Sequence, residues 1–331
     1  MKRRSFIQSC IGAAASLKTR EISSRIRGSF IRGKYPFQED KDVLVKVIGT
    51  AQDGGIPHMG CFCPHCRRAW EESRYRRLIS SLALIDLIEN KAFIVDATPD
   101  IRAQTKMIRD RISSGNKNRK FLPDGILLTH AHIGHYTGLI FYGYEAQSAH
   151  RLPVYCSERM EIFLAQNGPW NQLVEQENIV TGIIKLDAPL PLTSRLSVSA
   201  FQVPHREEYT DTLGFKIMGP RKSLLYIPDI QNWKAWDRSI TEEVQTVDIA
   251  LLDGTFYSPE ELPSRDLSAI GHPFITDSME LLRKFGQSSK SQIYFTHLNH
   301  SNLALDPEGT ARKSIEGKGF HLAEEGMEFL L

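Results

Sequence analysis

The segment Thr129-His130-Ala131-His132-Ile133-Gly134-His135 follows directly on the apolar run Gly125-Ile126-Leu127-Leu128. An apolar run this short reads as a buried strand. The end of such a strand is where an open α/β sheet presents its chemistry. In extended chain, positions i and i+2 point the same way. His130 and His132 therefore aim two imidazoles at one ion, and a turn brings His135 back beside them. Neutral imidazole is the commonest metal ligand, and three histidines with an open position make a catalytic zinc arrangement. The feature points to folds in which strand ends converge on a cation; the other reading is a histidine-rich loop with no metal.

The 331 residues suffice for one large α/β domain or two small ones. Hydrophobic residues make up 41% and charged residues 24%, and the formal net charge is only +2, so neither nucleic acid nor an anionic membrane is favoured as a partner. No apolar run has the length of a membrane span, so no integral span is expected. Residues 1–33 form a basic leader with eight Lys or Arg and a single acid, Glu21. Within it Arg3-Arg4-Ser5-Phe6-Ile7-Gln8 resembles a twin-arginine export signal, followed by a weakly apolar stretch and Ala13-Ala14-Ala15 as a small-residue cleavage site. Export to the periplasm is the expectation; the other reading is a basic leader on a cytoplasmic protein. Residues 34–42 read as a linker and 43–331 as the folded domain.

From residue 43 short apolar runs alternate with helical patterns. Strands are expected near 43–48, 82–87, 93–95, 126–128, 153–155, 196–203, 213–217, 224–227, 249–252 and 293–295. Helices are expected near 101–112, 158–166, 233–244 and 276–285. Several strands precede the first long helix and later ones alternate with helices, which predicts two sheets with helices outside, a four-layer αββα sandwich. Gly219-Pro220-Arg221-Lys222 fits a tight turn between two strands.

Further candidate ligands stand at other strand ends. His205 follows Val203-Pro204, Asp229 follows Ile227-Pro228, His272 precedes a helix, and His297 and His300 follow Phe295-Thr296. Asp96, after Phe93-Ile94-Val95, reads either as support behind a metal-ligating histidine or as a turn or helix-start carboxylate. The five cysteines do not form an even-numbered disulfide framework. Cys61, Cys63 and Cys66 instead read as a metal site, with a Zn–S distance of about 2.3 Å expected and His65, His58 or a distant His such as His300 as the fourth ligand.

Together these residues resemble the metallo-β-lactamase fold, and within it the pyrroloquinoline-quinone (PQQ) biosynthesis protein B family. The resemblance runs from about Val45 to the C-terminus. It is carried by Gly49-Thr50-Ala51-Gln52-Asp53-Gly54-Gly55, the cysteine cluster, the segments 96–104 and 204–215, Leu252-Asp253-Gly254-Thr255-Phe256-Tyr257 and Gly271-His272-Pro273. A related branch, the cyclic-nucleotide-type phosphodiesterases of phosphonate metabolism, shares the cysteine motif and divides a late T-H-x-x-H between two sites. The resemblance implies His130, His132 and His205 at a first metal, with Asp229 bridging. It implies His135, Asp229 and His297 at a second, and His300 with Cys61, Cys63 and Cys66 at a structural zinc. His272 would face the substrate as proton donor or anion binder. The superfamily pattern H-x-H-x-D-H has Gly134 where its Asp belongs. The first metal position is therefore expected to be well formed and the second weak or absent.

The expected function is a metallohydrolase acting on a small-molecule or peptide substrate. Zinc is expected at the structural site and at the catalytic one, where iron or manganese would also fit. Asp229 would orient water and His272 would assist the leaving group. The alternatives are a PQQ-pathway enzyme or accessory protein, oxidising a peptide precursor with iron, and a non-catalytic metabolite carrier of the same fold.

Overall fold

The computed structural model describes residues 43–109, 111–112, 121–263, 266, 270–286 and 290–331. The leader over 1–33, the linker over 34–42 and Cys10 lie outside the described residues.

Among the described residues, fourteen strands form two seven-stranded mixed sheets. The first contains β1 (Val43–Gly49), β2 (Ser81–Asp86), β3 (Lys91–Val95), β4 (Gly125–Leu127), β5 (Leu152–Cys156), β6 (Ile179–Ile183) and β14 (Glu328–Leu330), in the order β14-β1-β2-β3-β4-β5-β6. The second contains β7 (Pro189–Pro191), β8 (Ser197–Val203), β9 (Thr212–Met218), β10 (Ser223–Ile227), β11 (Ile249–Asp253), β12 (Gln292–Thr296) and β13 (His321–Leu322), in the order β13-β12-β11-β10-β9-β8-β7.

Alternation along the strands builds the layers. Val95, Leu127 and Leu84 face Phe215, Tyr226 and Leu251 in one core between the sheets. The intervening residues point outward. Ile94 and Ile126 pack beneath Ile101, Ile108, Met160 and Leu164 of the outer helices on one side. Leu225 and Leu252 pack beneath Ile240, Met279 and Ile315 on the other. With both faces covered, the central strands are near-continuous apolar runs; all six residues of β2 are buried. The four-layer αββα architecture follows.

Helix Glu158–Gln166 agrees with its expected span because its start is marked locally: Ser157 caps it by accepting from the Met160 N–H at 3.2 Å. The helix expected over 233–244 forms only at Ile240–Gln245. Asn232 Oδ1 accepts from the N–H groups of Lys234 and Ala235, an Asx turn that competes with helix. Trp233 and Trp236 donate their indole N–H to Ser278 Oγ and the Gln202 carbonyl, contacts set by tertiary packing. Ser239 then caps the true start.

Strand direction decides where the site lies. β1 and β3 to β6 run in one sense, β2 opposes them, and β8, β10, β11 and β12 run in one sense against β9. The two sheets are joined at the carboxyl ends of these strands. Gln52 N–H donates to the Leu298 carbonyl at 2.9 Å, Leu298 N–H to Thr50 at 2.8 Å, and Leu213 N–H to Thr129 at 3.0 Å. Every candidate ligand of the histidine cluster except His272 and His135 comes directly after the carboxyl end of such a strand.

Candidate metal centre

His130 and His132 follow β4, His205 follows β8, Asp229 follows β10, and the structure brings all four together. His130 Nε2 is 3.3 Å from Asp229 Oδ2, His205 Nε2 is 3.2 Å from Asp229 Oδ1, and His132 Nδ1 is 3.3 Å from His205 Nε2. A second group stands beside it. His135 Nε2 and His297 Nε2 each lie 3.9 Å from Asp229 Oδ2. Asp53, to which the sequence assigns no role, reaches the same place, its Oδ1 lying 3.2 Å from His135 Nε2 and 3.8 Å from His297 Nε2. Beside His135, where Gly134 leaves the histidine loop without a carboxylate of its own, stands one delivered from the turn after β1.

The reverse sides of these rings are held by two similar devices, one from each sheet. In the first sheet, Asp96 accepts from Thr129 N–H at 2.8 Å and Thr129 Oγ1–H at 3.0 Å, and His135 Nδ1–H donates to it at 2.7 Å. Thr129 Oγ1 in turn accepts from His130 Nδ1 at 3.0 Å. Asp96 therefore supports the histidine loop from behind. In the second sheet, Asp253 accepts from Thr255 Oγ1–H at 2.8 Å, and Thr255 Oγ1 accepts from His297 Nδ1 at 3.0 Å. Such partners fix the tautomer, with Nδ1 protonated and the Nε2 lone pair facing the centre. Asp96 and His297 both turn the chain at strand ends with left-handed backbone, φ 68° and 61°. Strain of this kind clusters at functional sites. The roles of Asp253 and Thr255 were missed because no period or spacing marks a support residue.

Charge is concentrated here. Burial opposes ionisation of Asp229, yet His205, His272 and His297 hold its carboxyl well below the usual range. Burial and the neighbouring His135 push His130 well below its ordinary value. Burial also opposes charge on His135, but Asp96 and Asp53 raise it well above the usual imidazole value. His272 Nδ1 lies 2.9 Å from Asp253 Oδ2 and 3.2 Å from Asp229 Oδ1. These carboxylates outweigh burial and raise it to about 9. Asp229, His272 and His297 also approach one another closely enough to share an ion, but the His272 Nδ1 already has Asp253 as partner.

The donor set fits a cation on a structural test. Asp53 Oδ1, His130 Nε2, His135 Nε2, Asp229 Oδ1 and His297 Nε2 are all buried without a hydrogen-bond partner. Each such atom costs roughly 1–3 kcal/mol when left unsatisfied, and one divalent ion beside them would satisfy several.

The second site lies at the start of helix Pro64–Glu71. Cys61 Sγ and Cys63 Sγ lie 3.5 and 3.6 Å from His300 Nδ1, and Cys66 completes the group. Zinc–sulfur and zinc–nitrogen bonds of about 2.3 and 2.05 Å in a tetrahedron place S and N about 3.6 Å apart, so the spacing fits. His65 stands outside this group, and its Nδ1 lies 3.1 Å from the His300 carbonyl. His58 stacks on the His300 ring at 4.6 Å and donates its backbone N–H to Cys66 Sγ. His300, two positions beyond the loop residue Leu298, shares one short segment with His297. A cleft of about 810 Å³ is lined by His272, beside the histidine cluster, and by His300 of the cysteine group, with Gln52, Arg206, Phe256 and Asn299.

Two sheets with strand-end histidines gathered around one aspartate define an αββα protein with a candidate metal centre. A family model described as the beta-lactamase superfamily domain matches residues 91–298, more than half of the chain, and the chain belongs to that superfamily. Over most of its length it is similar to proteins named coenzyme PQQ synthesis protein B. That of Methylobacterium sp. (strain 4-46) is 23% identical, with 86% of this chain and 99% of the relative covered. That of Nitrosococcus oceani is 26% identical, with 87% and 100% covered. Among solved structures, Zn(2+)-bound PqqB from Methylobacterium extorquens superposes with a TM-score of 0.72 at 22% identity, covering 87% of this chain and all of that one. A diphosphatase of the PhnP family gives 0.62 at 22% identity, covering 87% and 97%. These likenesses bear on the fold.

Proposed function

We propose that the protein is a metal-dependent hydrolase whose reaction centre is the cluster of His130, His132, His205 and Asp229. The observation that carries this reading is the set of buried, partnerless nitrogen and oxygen atoms converging beside an open cleft. Zinc at these ligands would act as a Lewis acid and lower the pKa of coordinated water to about 7. Asp229 offers both carboxylate oxygens to the centre and is suited to orient the attacking water or take its proton. His272 stands in the cleft wall with Nδ1 engaged by Asp253, which leaves its other ring nitrogen to face a developing oxyanion or leaving group. Arg206, in the same wall, adds a cation for an anionic part of the substrate. Small-molecule and peptide esters, phosphodiesters and amides are the substrate classes that this chemistry serves.

The test is hydrolysis of a chromogenic phosphodiester, with metal content measured beside it, for wild type and His132→Ala. The expected result is turnover in the wild type and a fall of at least about 100-fold in the variant, together with loss of metal. Wild-type protein with a full metal complement and no turnover on diester, ester or amide probes would overturn the reading and favour a metabolite carrier.

A second reading draws on the relatives named coenzyme PQQ synthesis protein B, which are matched over 99–100% of their own lengths. It gives the chain a step in that synthesis with a redox metal, since imidazole and carboxylate ligands also suit iron(II). Iron rather than zinc in protein purified without added metal, with oxygen uptake in the presence of a tyrosine-containing peptide, would favour it. Zinc alone would count against it.

A further inference from the structure

We infer that Asp53 and residue 134 compete for one volume, and that Asp53 is a metal ligand completing a second cation position with His135, His297 and Asp229. The inference rests on the metal-centre reading above and goes beyond it by assigning a ligand and explaining a glycine. Asp53 Oδ1, His135 Nε2 and His297 Nε2 all lie within 4.8 Å of one another. All three atoms are buried without a hydrogen-bond partner.

The tautomers make the geometry informative. His135 gives its Nδ1 proton to Asp96, and His297 gives its own to Thr255. When neutral, both rings turn a lone pair toward two carboxylates, Asp53 and Asp229. Lone pairs facing carboxylate oxygens repel unless a proton or a metal ion lies between them. A protonated His135 would pair with Asp53 Oδ1 at 3.2 Å, but that pairing leaves His297 Nε2 unanswered, 3.8 Å from the same oxygen and beyond hydrogen-bond reach.

Backbone contacts hold Asp53 in place. The paired segments around Ala51 and Leu298 set the turn after β1 against the His297 segment, and Gly55 N–H closes that turn on the Gln52 carbonyl at 2.8 Å. Gly134 then has a physical reason. A Cβ at 134 would lie 2.3 Å from Asp53 Oδ1, 2.7 Å from its Cα and 2.9 Å from its Cγ. No side chain fits there while Asp53 is present. The carboxylate that the histidine loop lacks in sequence is supplied across the molecule, and the loop is emptied to receive it.

The experiment is metal content per chain by elemental analysis, with melting temperature, on six proteins: wild type, Asp53→Asn, Asp53→Gly, Gly134→Asp, the double variant Asp53→Gly with Gly134→Asp, and Cys63→Ser. Asp53→Asn keeps the shape and removes the charge. It is expected to lose about one equivalent of metal while the melting temperature shows a folded protein. Gly134→Asp alone is expected to lower both metal content and melting temperature. In the Asp53→Gly background the same substitution is expected to raise metal content, since the new carboxylate then has room. This reversal of sign is the signature of two residues sharing one volume. Full metal content in Asp53→Asn would overturn the ligand assignment. A Gly134→Asp effect of the same sign in both backgrounds would overturn the competition. Wild-type protein whose only metal is lost in Cys63→Ser would overturn the metal-centre reading itself, a result distinct from the other two.

Discussion

Single atoms carry the chemistry of this site, and Asp96 shows how. Its two oxygens accept from the Thr129 backbone, the Thr129 hydroxyl and His135, so one carboxylate orients two neighbouring ligand rings. The sequence left it open whether Asp96 serves the metal or merely ends a turn, because both readings place an acid after a strand. Its contact with His135 favours the first. Asp96→Asn is expected to weaken metal binding at the histidine cluster by about 10–100-fold while the cysteine-site metal stays bound, as measured by titration against a chromophoric chelator. Unchanged affinity would reduce Asp96 to a turn residue.

Among the elements, the short helix Pro64–Glu71 depends on the cluster at its start. It spans eight residues and buries only Cys66 and Ala69, far below what an isolated helix needs for stability. Beside the packing of Ala69 with Ala51 and Ile56, its attachment to the body runs through Cys61, Cys63 and Cys66 to His300, more than two hundred positions further along the chain. Burial pushes the Cys66 thiol up to about 12, whereas the Cys63 N–H donating to Cys61 draws that thiol down. Cys63→Ser is expected to lower the melting temperature by several degrees and to remove about one equivalent of metal, with hydrolysis per folded molecule largely retained. A fall in activity at unchanged melting temperature would count against a structural role.

At the scale of the whole molecule, the sheets pack face to face and are stitched by backbone bonds at the edge that carries the site, and stability near that edge has its own pH dependence. Glu325 accepts from the Leu78 N–H at 2.5 Å, but burial pushes its carboxyl from an ordinary 4.5 up to about 7, with Arg77 opposing and Asp100 adding to the shift. Between these two values the folded chain holds a proton that the unfolded chain has released. Stability from this group is therefore present below about pH 4.5 and declines as pH rises toward 7. Glu325→Gln does not titrate, so its melting temperature relative to wild type is expected to be more favourable at pH 8 than at pH 5. A difference independent of pH would show that Glu325 ionises normally in the folded protein.

Much of this molecule was legible from local pattern. Apolar runs marked the central strands because burial on both faces leaves little room for polar residues. His130, His132, His205, Asp229 and His297 were readable as candidate ligands because each follows such a run, where the chain can place a side chain at a sheet edge. The edge strands Ile179–Ile183 and Pro189–Pro191 and the helices Pro64–Glu71 and Thr310–Gly317 were not readable: Thr181 and Gly182 interrupt the first, and the others are half-exposed and carry few apolar positions. Tertiary structure alone decided which donors meet. Strand direction and the pairing of Ala51 with Leu298 brought Asp53 to His297 across more than two hundred residues. Packing chose His300 over His58 and His65, and it placed Asp253 and Thr255 behind the rings. The sequence by itself determined the kinds of ligand and the layered sheets, which follow from periodicity and burial. Which atoms share one ion depends on distances between segments remote in the chain, and no local pattern encodes those.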